Sequence, residues 1–516
     1  MFFSPTSVFE ISLIISQTAS KFSTGWDEIP SIALKYLPLN CITALNYIFN
    51  LSLSQGKFPS KFKHAKVMPL FKNKGNVKNI QNYRPISLLS NFSKILEKIV
   101  YNRLYSFFTT FNLFSNHQFG FRHGHSTSHV VTLLTQKITA AFEKKQSTLG
   151  MFLDLTKAFD TIDHGILLKK LEHYGIRGNV LQWFQNYLTE RTQQTECQGV
   201  ISTNINILTS SVPQGSVLAP LLFNIYVNDF PQCLHHSSCL SFADDTTVLI
   251  SGKNIKNLYE KSTIELKSID KWLIANKLFL NSDKTKHIVF RTPNSKTPSS
   301  DLSLKLKQTS IEKVTSIKLL GITVNEHLSW KEHINNLNKR LRQIYCITLR
   351  IRPYLNKNAL LSLYHSLFMT HVRYCIPNWC FGNETLIAKL EKLSHKFVRI
   401  IFNLSHRQGV SNTMKENNLI TIKSLRNIEI GTLMFKYHQK LLPKAFDNLF
   451  TRKTFQMNTR CSSQIVPKSC RSTVNQQSLS YIGPKIWNDI PLAIRNSKTI
   501  TSFKQKLNQF FINFPL

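Results

Sequence analysis

Acidic side chains are scarce in this chain of 516 residues: 28 Asp and Glu face 65 Lys and Arg, leaving a formal net charge of +37. That excess lies far beyond what solubility requires. Such a surface attracts polyanions; nucleic acid is the commonest partner and an anionic membrane the competing one. Long apolar runs are missing too. No uninterrupted stretch of about 18 apolar residues occurs, which excludes a helix that crosses a bilayer. The opening MFFSPTSVFEISLIISQTASK has a short apolar run with no basic region before it, a poor signal peptide. An intracellular location, in nucleus, cytoplasm or both, is expected. Tightly spaced cysteines are absent as well. The nine Cys are odd in number and scattered, which suits a reducing compartment better than a disulfide framework. Cys375 and Cys380 stand near His365 and His371, and Cys461 and Cys470 form a second loose pair. Neither repeats the C-x-x-C spacing of a zinc site, so buried or incidental thiols are expected.

What is present is the material of a folded protein. Hydrophobic residues make up 42% and aromatics 11%, including 36 Phe, and the length allows several domains. Residues 25–60 read as helix and turn, with Asp27 and Pro30 suited to a helix start and Gln55–Pro59 marking a turn. An extended AKVMPLFKNKGN follows, then a helix, SKILEKIVYNRL. Ser93 is its expected cap, with Ile95, Leu96, Ile99, Val100 and Leu104 on one side. From Ser147 to about Phe290 short apolar strands alternate with helices, including one of about 25 residues from Ile255. That mixture predicts an α+β sheet domain. Beyond Ser329 the pattern is helical, with Ile334, Leu337, Leu341, Ile344, Tyr345 and Leu349 on one stripe. Lys339, Arg340, Arg342, Arg350 and Arg352 decorate the same helix or its exit. A Ser/Gln/Thr-rich stretch, 453–480, reads as a loop.

Two places carry chemistry. In Ser241-Phe242-Ala243-Asp244-Asp245-Thr246-Thr247, strand-like arms flank adjacent carboxylates, and no glycine supplies the positive φ a tight hairpin favours. Adjacent like charges are unfavourable without a cation, although Asp is also common in ordinary turns. Asp154 ends the apolar strand Met151-Phe152-Leu153, where a charge is costly unless paired or bound to metal; a helix cap or turn is the plainer alternative. A sheet that sets this strand beside the hairpin would gather hard oxygen donors suited to magnesium, and two such ions support phosphoryl displacement. Glycoside hydrolysis also uses paired carboxylates, but a neutral glycan gives no reason for so basic a chain.

The ordered motifs resemble those of non-LTR (LINE-type) reverse transcriptases. Phe152-Leu153-Asp154-Leu155-Thr156-Lys157-Ala158-Phe159-Asp160-Thr161-Ile162-Asp163-His164 resembles their first palm motif. Val212-Pro213-Gln214-Gly215-Ser216-Val217-Leu218-Ala219-Pro220 is similar to the second, and Phe242-Ala243-Asp244-Asp245 to the third. Asn82-Tyr83-Arg84-Pro85-Ile86-Ser87-Leu88 and Gln118-Phe119-Gly120-Phe121-Arg122 resemble fingers motifs, and Leu319-Leu320-Gly321 a primer-grip hairpin. The resemblance covers about residues 25–410, and the closing Tyr481–Asn488 run is similar to tails of jockey-like elements.

This resemblance implies a right-hand polymerase of class α+β, its palm an antiparallel sheet backed by helices. The expected divisions are an N-terminal segment (1–24), fingers (25–146), palm (147–328), helical thumb (329–410) and a C-terminal region of unknown role (411–516). It implies an RNA-directed DNA polymerase that extends a primer 3′-hydroxyl with dNTPs on an RNA template. Two Mg2+ ions, or Mn2+, would be held by Asp154, Asp244 and the Leu155 carbonyl, with Asp245 completing the acidic set. Phe159 falls where a ring blocks a ribose 2′-hydroxyl. Gln214 and Gly215 would meet the incoming nucleotide, and Arg84 would clamp its triphosphate, assisted by Lys72 or Lys74. Lys284 or Lys286 would give a proton to the departing pyrophosphate. Leu320 and Gly321 would hold the primer, and Lys339, Arg340 and Arg342 the nucleic-acid backbone. Asp160, Asp163 and His164 read as local structure. Too few residues precede the fingers for an endonuclease, so a reading frame truncated at its 5′ end is expected. An intron-type maturase, or a decayed or domesticated copy that binds nucleic acid without catalysis, are the rival readings.

Overall fold

A computed structural model of the chain describes residues 1–203, 205–208, 210–295, 302–307, 309–452, 465–470 and 472–514. Ser7 accepts from the Glu10 N–H and starts α1 (Val8–Gln17), whose Ile11, Ile14 and Ile15 are buried. After α2 (Ser31–Leu34), α3 (Leu39–Gln55) ends where Gly56 takes φ 66°, the left-handed step expected at the Gln55-Gly56 turn. Strands β1 (His64–Phe71) and β2 (Tyr83–Leu88) pair antiparallel before α4 (Asn91–Thr110). Ser90, not Ser93, caps α4, accepting from the Phe92 N–H. The first turn runs back to the next hydroxyl able to satisfy an end N–H, leaving Ser93 buried inside the helix.

The middle of the chain gives α5 (Thr127–Glu143), β3 (Ser147–Leu153), α6 (His164–His173), α7 (Asn179–Leu188), β4 (Arg191–Cys197), β5 (Val200–Ile201) and β6 (Asn206–Leu208). Next come α8 (Ala219–Tyr226), β7 (Ser238–Phe242), β8 (Asp245–Gly252), α9 (Ile255–Ala275) and β9 (Lys286–Phe290). Strands β10 (Leu304–Leu306), β11 (Thr309–Lys313), β12 (Ser316–Leu319) and β13 (Ile322–Asn325) lead into α10 (Lys331–Ile351). Helix α9 has 21 residues, somewhat shorter than expected.

Six strands form one sheet in the order β10-β11-β9-β3-β8-β7, antiparallel except for β9 with β11. Strand β3 is central and every one of its residues is buried. Alternation along it sends Leu149, Met151 and Leu153 into an apolar cluster with Leu266, Ile269 and Leu273 of α9. Phe152, on the other face, joins Val130, Leu134 and Ile138 of α5. The sheet is thus covered on both faces. A second sheet runs β2-β1-β4-β5 with β6 also on β4, and its β1–β4 pair is parallel. It joins residues from the stretch before 147 to residues after it.

Beyond β13 the described residues are mainly helical. Helix α10 buries Ile334, Leu337, Leu341 and Thr348, whereas Leu349, expected on the same stripe, is 41% exposed. Positions 334, 341 and 348 are buried at seven-residue intervals, and 349 rotates out of that row. Described residues from Ile428 to Tyr437 and from Ile465 to Phe511 build a third apolar cluster around Trp487, Phe435 and Phe503. Of the stretch read as a loop, 453–464 and 471, including Cys461, lie outside the described residues; Thr473–Gln476 is a helical turn. Cys375 and Cys380 are buried free thiols. No described helix is long and apolar enough to cross a membrane.

Candidate active site

Register brings the acidic residues together. Leu153 at the end of β3 pairs with Thr246, and Phe242 pairs with Asp245 across the β7–β8 turn. One step further along the same ladder, Asp154 falls beside Asp245, with Asp244 in the turn itself. The main chain after β3 is also held. The Asp154 N–H donates to Thr285 Oγ1 (3.3 Å), and its carbonyl accepts from the Asn281 N–H (2.8 Å). Leu155 bridges Leu280 antiparallel, with the Thr156 N–H donating to the Phe279 carbonyl at 2.8 Å. In such a pair the flanking residues make the bonds, so Leu155's own carbonyl points away from the bridge. It is free to accept elsewhere.

The turn lacks glycine yet needs a left-handed residue, and Ala243 takes that role at φ 56°. Residues 117–120 hold it there. Phe119 N–H donates to the Ser241 carbonyl and Ser241 N–H to the His117 carbonyl, each at 2.8 Å. The Gln118 side chain then spans the turn, accepting from the Ala243 N–H (2.9 Å) and donating to the Ala243 carbonyl (3.1 Å). A Cβ on Gly120 would lie 2.2 Å from the Ala243 nitrogen, so only glycine allows this approach. The clamp offsets a left-handed alanine, which costs on the order of 1–2 kcal/mol.

Charge is crowded at this point. Burial pushes the Asp244 carboxyl above its usual range and the Asp154 charge adds to the rise, while Arg84 and Lys284 oppose it. Asp245 reaches solvent, yet desolvation by the turn, then the charges of Asp244 and Asp154, push it up to about 6. Lys284 Nζ stands 3.5 Å from Asp154 Oδ2. Among the described residues no three His, Cys, Asp or Glu side chains close around one point, so the carboxylates do not form a ready cage. Their hard oxygens, joined by the outward Leu155 carbonyl, nevertheless suit a divalent cation, which would relieve the repulsion raising Asp244 and Asp245.

The other expected residues lie around this centre to different degrees. Arg84 is exposed on β2 and close enough for its charge to reach Asp244. Lys72 Nζ donates to the Gln81 carbonyl (2.8 Å) and its charge reaches Asp160, whereas Lys74 is exposed on the β1–β2 connection. Phe159 stacks on Phe223, centroids 4.7 Å apart, and meets Phe121 edge-on. Gln214 Nε2 donates to Asp160 Oδ1 at 2.8 Å, so Asp160, read as local structure, orients that amide. The Gln214 carbonyl accepts from the Ser87 N–H (2.7 Å), and Gly215, at φ 138°, passes so close to Ser87 that a Cβ would meet its carbonyl at 2.2 Å. Lys286 turns to Glu312 (2.8 Å) rather than to the carboxylates. Lys339, Arg340 and Arg342 are exposed on α10.

Leu320 and Gly321 form the two-residue tip between β12 and β13, both at positive φ. Tyr374, unremarked in the sequence, pins that tip. Its hydroxyl donates to the Leu320 carbonyl, and the Thr127 hydroxyl bonds to it at 3.0 Å. Tyr374→Phe is expected to cost about 1 kcal/mol, read from the urea midpoint, and to speed amide exchange at Gly321. Unchanged exchange there would show that the tip is held by other contacts. Gln118 and Glu97 were also unmarked as site residues; both act on main-chain groups far away in sequence, for which no local pattern exists.

Carboxylates gathered from a central strand and an adjacent hairpin, at one end of a helix-backed sheet, form the arrangement expected of a right-hand polymerase palm. Comparison with known proteins narrows this. Residues 72–324 match the family model for "Reverse transcriptase (RNA-dependent DNA polymerase)". The chain is 29% identical over 439 residues to the probable RNA-directed DNA polymerase from transposon BS of Drosophila melanogaster, covering 81% of this chain and 47% of that one. It is 26% identical to the corresponding X-element protein of the same fly (85% and 48% covered) and 27% identical to that of mobile element jockey (76% and 43%). Residues 72–324 thus match the reverse transcriptase family, the relatives are proteins of Drosophila transposons and mobile elements, and the chain spans about half the length of these curated relatives. Among solved structures, telomerase from Candida albicans in complex with a fragment of telomeric RNA is similar at a TM-score of 0.36 and 13% identity, covering 70% of this chain and 65% of that one.

Proposed function

We infer that the chain is an RNA-directed DNA polymerase that adds dNTPs to a primer 3′-hydroxyl opposite an RNA template. The observation that carries this reading is the continuation of one strand register from Asp154 to the Asp244-Asp245 turn. Asp154, Asp244 and the Leu155 carbonyl would hold divalent magnesium, with Asp245 completing the negative set; manganese has the same preference for hard oxygens. Bound there, such ions supply activation of the attacking hydroxyl and stabilisation of the leaving oxygen. The chain's own groups do the remainder. Arg84 presents a planar fork to the triphosphate from β2, and Lys72 stands near the same wall. Lys284, beside Asp154, is placed to pass a proton to the departing pyrophosphate; Lys286 is held away by Glu312. Gln214, oriented by Asp160, and Gly215 form the floor under the nucleotide.

Charge supports the nucleic-acid partners. Residues 147–328 carry 19 Lys and Arg against 16 Asp and Glu, while the rest of the chain carries 46 against 12. The excess thus lies in the segments before and after the one that bears the acidic centre, and an RNA template and DNA primer would draw on it; Lys339, Arg340 and Arg342 belong to it, and Leu320-Gly321 would face the primer. The test is dNTP incorporation on a primed RNA template with Mg2+, against the same reaction with chelator. No magnesium-dependent synthesis by the folded chain would sink the reading. The same assay tests Phe159. Phe159→Ala removes the ring stacked on Phe223, and selectivity for dNTP over rNTP, as a ratio of kcat/KM, is expected to fall about tenfold or more. An unchanged ratio would return Phe159 to a packing role.

A further inference from the structure

We propose that Glu97 is a positioning residue: a buried anion in α4 that sets the shape of the loop Gln214–Val217. This role rests on the polymerase reading of that loop. Glu97 is fully buried, and an ionised carboxylate in such a place is costly unless donors surround it. Three do. Glu97 Oε2 accepts from Ser216 Oγ (2.8 Å) and from the Val217 N–H (2.7 Å), and Oε1 accepts from Ser93 Oγ (3.2 Å).

With Glu97 as the anion, the proton directions follow. An ionised carboxylate only accepts, so the single Ser216 hydroxyl proton goes to Glu97. Ser216 must therefore accept from the buried Tyr187 hydroxyl, 2.7 Å away. Its oxygen also accepts from the Leu218 and Ala219 N–H groups, at 3.0 and 3.2 Å, at the mouth of α8. The chain Tyr187 → Ser216 → Glu97 thus fixes the residue after Gly215 from three elements: α4, α7 and α8.

The consequence reaches the nucleotide wall. Gln214 and Gly215 are tied to Ser87 on β2, the strand that bears Arg84, and β2 leads through Leu89 and Ser90 directly into α4, which bears Glu97. Arg84 and Gln214 are thereby set against each other through one buried carboxylate that touches neither substrate nor acidic centre.

The experiment compares Glu97→Leu, which keeps bulk but removes every acceptor, with Glu97→Gln, which keeps one acceptor oxygen for Ser216 and Val217. Glu97→Leu is expected to raise the dNTP KM about tenfold or more while kcat stays within about threefold. Affinity for template–primer should not change, and Val217 amide protection against exchange should be lost. Glu97→Gln should restore most of the KM and of the protection. Where Glu97→Leu does not fold, Ser216→Ala, which breaks the chain at its middle, is expected to raise KM in the same direction. A wild-type KM in folded Glu97→Leu, or a fall confined to kcat, overturns the proposal. A wild-type chain that makes no DNA, yet whose Val217 protection still depends on Glu97, sinks the polymerase reading and leaves the anchoring intact.

Discussion

Asp244→Asn is expected to lower magnesium-dependent primer extension by about 10³-fold or more, on the order of 4 kcal/mol of transition-state stabilisation, with no loss of thermal stability. Both halves follow from the geometry. The Asp244 carboxyl is pushed up by burial and then by Asp154; a charge there is costly, and a neutral side chain of the same shape removes that cost. Asp154→Asn should show the same loss of rate. Its stability change should be smaller, because Asp154 gives up its contact with Lys284, and a pair this exposed is worth little. Steady-state extension on an RNA template and a melting curve for each variant are sufficient measurements. Variants of both positions that extend primers at the wild-type rate would remove the acidic centre from the mechanism.

Gly120→Ala is expected to cost about 10²-fold in the same assay, although residue 120 meets neither metal nor substrate. The added Cβ would lie 2.2 Å from the Ala243 nitrogen and 2.9 Å from its Cα, and these are main-chain atoms with no rotamer in which to escape. The turn must move, carrying Asp244 with it, and a displacement of about 1 Å at a reacting group costs on the order of 10²-fold. Overpacking adds about 1–3 kcal/mol of destabilisation, visible in the urea midpoint. Gly124→Ala is the control. Gly124 has a positive φ, 73°, which Gly120 lacks, and nothing lies within 4 Å of its added Cβ, so backbone strain without contact should leave the rate near wild type. Equal losses in both variants would mean that any added methyl in this loop, and not contact with the turn, lowers the rate.

Much of the acidic centre was legible because its signals are local. An aspartate closing an apolar strand and two more between strand-like arms can be read from a few residues each, and alternation along β3 then sets their face. The clamp was not legible. Gln118 bonds the main chain of Ala243, 125 positions away, and a glutamine in a loop looks the same whether it faces water or a turn. Glu97 was hidden differently: within an amphipathic helix a glutamate normally marks the solvent side, and only the fold reveals that donors surround it. The cap of α4 went wrong by three residues because Ser90 and Ser93 are equally good caps in isolation. Leu349 was misplaced because a 3.6-residue period and a seven-residue repeat diverge after two turns. Residues 411–516 offered least, since their helices bury many sides at once around Trp487 and Phe503 and leave little periodic contrast.

The parallel pairing of β1 with β4 has a consequence for how the molecule comes into being. His64 and Thr192, bonded across that pair, are 128 positions apart, and their union requires a long loop to close first. During synthesis, β1, which holds the Arg84-bearing β2 on its other edge, must therefore wait, half its ladder unpaired, until residues 191–197 have left the ribosome.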